Sequence, residues 1–342
     1  MVLVNRVLLL ALGAAMAGCK PTLDDTSPLV AAPRVLAVRS DPAEVTPGND
    51  VTVSALFVDG NGKTALQPLS YAFCTLRKPL TELGPVSPGC LVSTADWLVP
   101  LGDGPMAQGM VPMDACRQFG PDTPDTKAGE PPGRPVDPDL TGGYYQPVRL
   151  QVGAGDAATF AAAETRLTCG VAGASQDQVV ELKKRRRPNT NPALVGVAVA
   201  GGMPLADGTA IDAAPGAQVK LTAVWPLCPT AAACGDAVCS PDEDDKACPG
   251  DCKELKGCRG AETYAFFDPT TRENETATEA MRVSWFATAG TFDAPHTGAP
   301  DAATPASGNT WIAPAGGDVT VWVVLRDDRG GVGWTTLQVH IH

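Results

Sequence analysis

The segment CGDAVCSPDEDDKACPGDC, Cys234 to Cys252, sets four cysteines and six acidic side chains within nineteen residues, and Cys228 and Cys258 flank it. Four chemistries use such residues: thiolate zinc, a dithiol redox pair, carboxylate calcium, or disulfides. Zinc sites commonly draw on paired C-x2-C spacings. Here the spacings are C-x4-C, C-x8-C and C-x3-C, with no histidine nearby. A thioredoxin-like pair needs C-x-x-C beside a βαβ unit, and neither is found. Calcium would take the oxygens of Asp236, Asp242, Glu243, Asp244, Asp245 and Asp251. An EF-hand is excluded, because Lys246 and Ala247 stand where its spacing wants a ligand and a glycine. Calcium is therefore kept as the functional alternative to a solvated acidic loop, and disulfides are the expectation for the cysteines.

The choice depends on the compartment. The chain opens MVLVNRVLLLALGAAMAGC, with Arg6, an apolar run from Val7 to Ala17 and small residues before Cys19. This is the pattern of a secretory signal over residues 1–18, its apolar run being shorter than the roughly 20 residues a spanning helix needs. Met16-Ala17-Gly18-Cys19 resembles the lipobox of bacterial lipoproteins, with Met16 where leucine is usual. The resemblance implies lipidation at Cys19 and a membrane partner reached through that lipid. Lys20 stands where an Asp would mark inner-membrane retention, so the expected address is the outer membrane, at its periplasmic face or the cell surface.

Without residues 1–18 the formal charge of −12 becomes −13, which gives no basic footprint for nucleic acid. With 36 Gly, 32 Pro and 5% aromatic residues, the composition favours a loop-rich all-β chain of two domains. Ten cysteines besides Cys19 make an even number, which an oxidising compartment pairs. They are expected to pair within their own half of the chain: Cys74, Cys90, Cys116 and Cys169 among themselves, and Cys228, Cys234, Cys239, Cys248, Cys252 and Cys258 among themselves. Of the three pairings open to the first four, Cys74 with Cys90 and Cys116 with Cys169 is favoured.

Lys20 to Ala32 shows no periodicity and is expected to be a lipidated tether over 19–32, reaching up to about 50 Å. An internal repeat follows. Pro47-Gly48 leading into Val51, Val53, Ala55 and Phe57 matches Pro215-Gly216 leading into Val219, Leu221, Ala223 and Trp225, each copy a Pro-Gly turn feeding an alternating strand. Two β-sandwich domains are expected, over 33–187 and 188–342. Val319 to Leu325 is apolar on both faces, as befits a central strand. Pro100 to Gly143 is expected to be an irregular Pro- and Gly-rich loop, and 226–280 an excursion between strands B and C that carries the cysteine-rich segment. With almost no aliphatic side chains to bury, that excursion needs covalent staples.

Met281 to Phe292, Trp311-Ile312-Ala313-Pro314 and Asp318 to Gly331 resemble the second half of bacterial immunoglobulin-like or PKD-like repeats. That resemblance implies a strand C with its core tryptophan Trp285 and a strand F entering a turn. The cysteine pair of antibody domains is absent from the matching strands, so antibody-like recognition is not implied. The cysteine-rich segment is similar to small CG-x-G-x-C…CP-x-DC modules of extracellular bacterial proteins, with Ala237 in place of the usual glycine.

Other motifs carry less chemistry. Asp59-Gly60-Asn61-Gly62-Lys63-Thr64 has the Gly-Lys-Thr of a phosphate loop, but Phe57 replaces its first glycine, and Asp-Gly-Asn-Gly marks a turn. Lys183 to Arg187 is expected to be a soluble edge and interdomain linker, with attraction to anionic lipid as the functional alternative. The histidines are His296, His340 and His342, and no His-Glu-x-x-His or Gly-x-Ser-x-Gly occurs. The expected function is a non-enzymatic, lipid-anchored envelope protein with a structural, adhesive or partner-binding role toward an envelope protein or glycan. Its rival is a ligand-binding or hydrolytic lipoprotein that uses the acidic cysteine-rich insertion as recognition surface.

Overall fold

A computed structural model describes residues 27–62, 68–78, 82, 84, 86–125, 133–229, 232–253, 257–299 and 304–342. Cys19 and the expected leader lie outside these residues. The first half forms β1 (Arg34–Asp41), β2 (Glu44–Val45), β3 (Asp50–Val58), β4 (Leu69–Cys74), β5 (Leu98–Asp103), β6 (Met106–Met110), α1 (Ala115–Phe119), β7 (Tyr144–Val152), β8 (Thr159–Leu167) and α2 (Gln176–Arg185). The second forms β9 (Gly196–Val199), β10 (Pro204–Leu205), β11 (Thr209–Ala213), β12 (Gln218–Val224), α3 (Pro249–Cys252), β13 (Thr263–Asp268), β14 (Glu273–Thr278), β15 (Met281–Ala287), β16 (Thr291–Phe292), β17 (His296–Ala299), β18 (Ala306–Ile312), β19 (Gly317–Arg326) and β20 (Val332–Ile341).

Both halves are immunoglobulin-like two-sheet sandwiches with one wiring. The first sets β1-β3-β6 against β2-β8-β7-β4-β5, and the second β10-β9-β12-β18-β16 against β11-β20-β19-β15-β17. In each, a short strand joins the last strand in parallel, β2 to β8 and β11 to β20. Alternation explains the pairing: Val51 and Val53 of β3 are buried with Tyr71, Phe73 and Leu150, while Val319, Val321, Val323 and Leu325 of β19 are buried with Leu221, Leu337, Trp285 and Trp311. Both tryptophans are fully buried, and each indole N–H has an acceptor, Thr297 Oγ1 at 2.9 Å and Ala289 O at 3.1 Å.

The outer face of β19 is apolar for a second reason. Trp322 and Val324, with Phe286 and Val332, pack against Leu36, Ala37, Leu56 and Val58 of the first sandwich and against Val30. Arg326 donates to Leu36 O at 2.8 Å, and the Arg39 guanidinium lies 4.7 Å from the Trp334 ring centre. A two-sided apolar strand is thus a sheet centre and an interdomain face at once.

The chain meets this contact before it enters the first sandwich. Val30 N donates to Ala287 O at 2.9 Å, Ala287 N to Pro28 O at 3.0 Å, and Val30 is completely buried. The expectation of a featureless tether up to Ala32 is therefore corrected: burying Val30 and pairing two backbone groups fixes residues 28–30 on the end of β15.

Ala287 pairs with Val321 near the start of β19, and Arg326 at the other end runs into the turn at Asp327. In the first sandwich the turn Asp59–Gly62 meets Thr320 on the tether side, whereas Ser40 O accepts from Asn191 beside Val332. The sandwiches lie alongside in opposite senses. This gathers the long connections of the first (75–97 and 111–143) and the excursion of the second at the end away from the tether.

Three further expectations change. Within Pro100 to Gly143, residues up to Met110 complete β5, which pairs with β4, and form β6, which pairs with β3 in the opposite sheet; α1 follows, so the irregular stretch is confined to the residues on either side of α1 from Val111 on. The excursion holds an unexpected β13–β14 hairpin as well as the cysteine module. Lys183 to Arg185 end the helix α2, whose start is a capping box between Ser175 and Gln178. Asp59–Gly62 is a turn, with Gly62 at φ +78°.

Candidate functional site

The structure pairs Cys74 with Cys90 and Cys116 with Cys169, which staple the two long connections of the first sandwich. In the excursion Cys228–Cys258 encloses Cys234–Cys248 and Cys239–Cys252, and the two inner bridges cross one another in sequence. Ala237 takes φ +66°, a left-handed conformation that glycine adopts at no steric cost.

The six acids do not converge. Asp251 is buried and accepts from Gly235 N at 2.6 Å and Ala237 N at 3.0 Å. Glu243, also buried, accepts from Ser240 N at 3.0 Å. Asp236 accepts from Val238 N, and Asp244 from Ala247 N and Lys246 N. Those two amide bonds hold the Asp244 carboxyl below its ordinary pKa. Asp242 pairs with Arg185 at 3.2 Å, and Asp245 is exposed. Among the described residues no three of these acids bring oxygens within 4.8 Å of each other. The oxygens of Asp236, Glu243, Asp244 and Asp251 hold the module's own backbone turns.

The basic run faces inward from Arg185 on. Arg186 bonds Glu44 Oε1 at 2.5 Å and Cys169 O at 2.9 Å. Arg187 is buried, donating to Cys239 O, Ser240 O and Glu243 O. The expected solvated edge is corrected to a stitch between the first sandwich and the cysteine module, because the guanidinium fork fits several carbonyls at once. Lys183 and Lys184 stay exposed.

Between these pieces lies a buried charge cluster. Arg329, 1% exposed, donates to Glu279 Oε1 at 2.6 Å, Glu262 Oε2 at 3.1 Å and Arg187 O at 3.1 Å, and its guanidinium lies 4.6 Å from the Tyr264 ring centre. Glu279 also accepts from Glu262 N, and Asp327 accepts from Arg329 N, Gly331 N and Asn189 Nδ2. Glu44, from the first sandwich, receives Arg186, Arg166 at 3.4 Å and Asn189 N at 2.9 Å. Burial pushes Glu279 well above its ordinary pKa, and the neighbouring Asp327 and Glu262 add to it against the pull of Arg329. Burial likewise raises Asp327 to about 6. Burial also pushes Glu44 up, but Arg186, Arg166 and Arg329 together outweigh it and leave its pKa lowered.

A cavity of about 40 Å³ lies beside this cluster, lined by Arg166, Arg186, Tyr264 and Arg329 among others. That is room for ordered water rather than a substrate. A larger groove of about 750 Å³ opens on the first sandwich between its stapled connections, with Tyr144, Tyr145, Phe119 and Glu164 on its walls and Arg77, Lys78 and Arg134 at its rim. Sequence reasoning missed Glu44, Asn189, Glu262, Glu279, Asp327 and Arg329. Single charges scattered in polar segments read as surface, and only the fold brings these together.

No protein-family model and no curated protein matches this chain. Solved structures similar to it include the fibronectin(III)-like modules of Clostridium thermocellum CbhA, at 10% identity over 89% of this chain and 94% of that one, TM-score 0.23. The Yersinia pseudotuberculosis adhesin InvE aligns at 10% identity over 89% of this chain and 58% of that one, TM-score 0.20. The D0-D1 domain of Intimin aligns at 9% identity over 90% of this chain and 98% of that one, TM-score 0.22. At such TM-scores these likenesses carry no argument about function, and the immunoglobulin-like assignment rests on the strand order itself.

Proposed function

We propose that this is a non-enzymatic envelope protein, lipid-anchored at Cys19, whose two locked sandwiches hold a composite face of loops toward an envelope protein or glycan. The observation that carries it is the sorting of the molecule into two ends. The chain arrives at the β15 end through Pro28–Val30, while the groove, the β13–β14 hairpin and the cysteine module stand at the other. Five disulfides support a compartment outside the cytoplasm, where such bonds persist. Rigid pre-organised loops suit recognition, because less ordering free energy opposes binding. The groove favours a second reading, a ligand-binding or hydrolytic lipoprotein. Membrane fractionation of Cys19→Ala tests the anchor: release is expected, and unchanged retention overturns it. Envelope glycans and polymers presented to the soluble form, with turnover assayed on the same samples, test the rest. Binding without turnover is expected, and turnover favours the rival.

A further inference from the structure

We propose that Asp212, His340 and His342, with Asp318 as the orienting partner, form a surface site for a divalent transition-metal ion of the zinc class. His340 on β20 stands directly opposite Asp212 on β11 and Asp318 on β19, so three side chains form one row across adjacent strands. Neighbouring strands lie about 4.8 Å apart, which sets the spacing of that row. Val339 and Ile341 point into the core, and alternation turns His340 and His342 together to the outer face. The backbone of His342 continues the register, its N–H donating to Ala213 O at 3.2 Å.

The four groups stand as two pairs. His340 Nδ1 lies 2.7 Å from Asp318 Oδ1, and His342 Nε2 lies 3.8 Å from Asp212 Oδ1. The first is the carboxylate–histidine arrangement that accompanies metal-bound imidazoles: with Nδ1 donating to the carboxylate, Nε2 keeps its lone pair for an ion. In the structure the two pairs have not closed on one another, since no three of these ligand atoms lie within 4.8 Å of each other, and side-chain rotation must bring them around the ion. Two ligands of a tetrahedral zinc are about 3.3 Å apart, and the His342 and Asp212 side chains are 70% and 71% exposed and free to rotate. Two imidazoles and a carboxylate, with water completing the shell, suit zinc, nickel or copper, whereas calcium prefers oxygen alone. The site lies on the outer face of the second sandwich at the end nearer the tether, apart from the acidic cysteine module, and does not depend on the proposed function.

Calorimetric titration of zinc chloride into the full-length, disulfide-intact protein tests it. One ion per chain is expected. His340→Ala and His342→Ala should each weaken binding by at least about tenfold, and Asp318→Asn by about tenfold through loss of the orienting bond. Asp212→Asn should act as strongly as the histidine changes. All four positions are solvent-facing, so melting in the absence of metal should not move, which separates lost ligation from lost folding. Absence of binding, or zinc affinity unchanged by both histidine substitutions, overturns the proposal. In the unchanged case the ion binds elsewhere on the chain.

Discussion

The two sandwiches meet differently at the two ends of their contact. On the side of the docked segment Pro28–Val30 the contact is mostly apolar, through Val30, Leu36, Leu56, Val58, Phe286 and Trp322, beside the hydrogen bond from Thr320 to Gly62 O. On the side of the cysteine module they touch through polar bonds: Asn189 N donates to Glu44, Arg329 to Arg187 O, and Arg187 to the Cys239 and Ser240 carbonyls, while the buried ion pairs that line this contact close within one sandwich, Glu44 with Arg166 and Arg186, and Arg329 with Glu262 and Glu279. Apolar contact is non-directional and accepts several similar angles. Buried ions do not, since each must find its partner or lose several kcal/mol of solvation. The apolar half supplies adhesion between the domains, and the polar half, whose directional hydrogen bonds from Asn189, Arg329 and Arg187 cross between them, selects one mutual orientation.

The strongest way to break this contrast is Arg329→Ala, which leaves Glu262 and Glu279 buried without their cation. It should cost about 3–5 kcal/mol in denaturant unfolding, and a loss under about 1 kcal/mol would mean that the cluster relaxes into water. Glu279→Gln in that background should restore part of the loss, because it removes the carboxylate whose ionised form burial already disfavours. The apolar half yields to Trp322→Ala, expected to cost about 3 kcal/mol. That variant should also split one unfolding transition into two; a single transition at unchanged midpoint would show that the face contributes little.

The smallest effect is in pH. The folded-state pKa of Asp327 is raised from 3.8 to about 6, so the folded protein binds a proton more tightly than the unfolded chain. Its contribution favours folding at low pH and is lost as pH rises through about 6. Glu44 has the opposite sign: its lowered pKa stabilises the fold above the usual carboxylate range and is lost as pH falls below it. Asp327→Asn keeps an acceptor for the Arg329 and Gly331 amides and removes only the first limb, a change on the order of 2 kcal/mol between pH 4 and 7. Melting temperatures across that range check it: the wild type should lose ground to the variant as pH rises, and parallel curves would contradict the assignment.

The sandwiches were legible because period-two burial leaves a direct trace, as in Val219, Leu221 and Ala223 or Leu337, Val339 and Ile341. The outer face of β19 was legible only as apolar, since Trp322 and Val324 look alike whether the cover is a sheet or a neighbouring domain. Helix α2 had a local signal that went unread, Ser175-x-x-Gln178 before Val179 and Leu182, as did β13 in Tyr264, Phe266 and Phe267, whereas the polar β14 had none. The charge cluster had none. Glu44 and Arg329 are 285 positions apart, and no local pattern couples residues at that distance. The cysteine module was legible in composition, but the role of its acids as acceptors for Gly235, Ala237 and Ala247 amides depends on turn geometry.

The docking of Pro28–Val30 on β15 also sets a mechanical load path. The chain enters the first sandwich at Arg34, yet tension from upstream reaches the backbone bonds at Ala287 and the buried Val30 before it reaches β1. The second sandwich, a hundred and fifty residues further along the chain, therefore takes the strain first. The first sandwich is pulled only after that clasp opens, and a brief pull on the chain ahead of Pro28 leaves its stapled loops undisturbed.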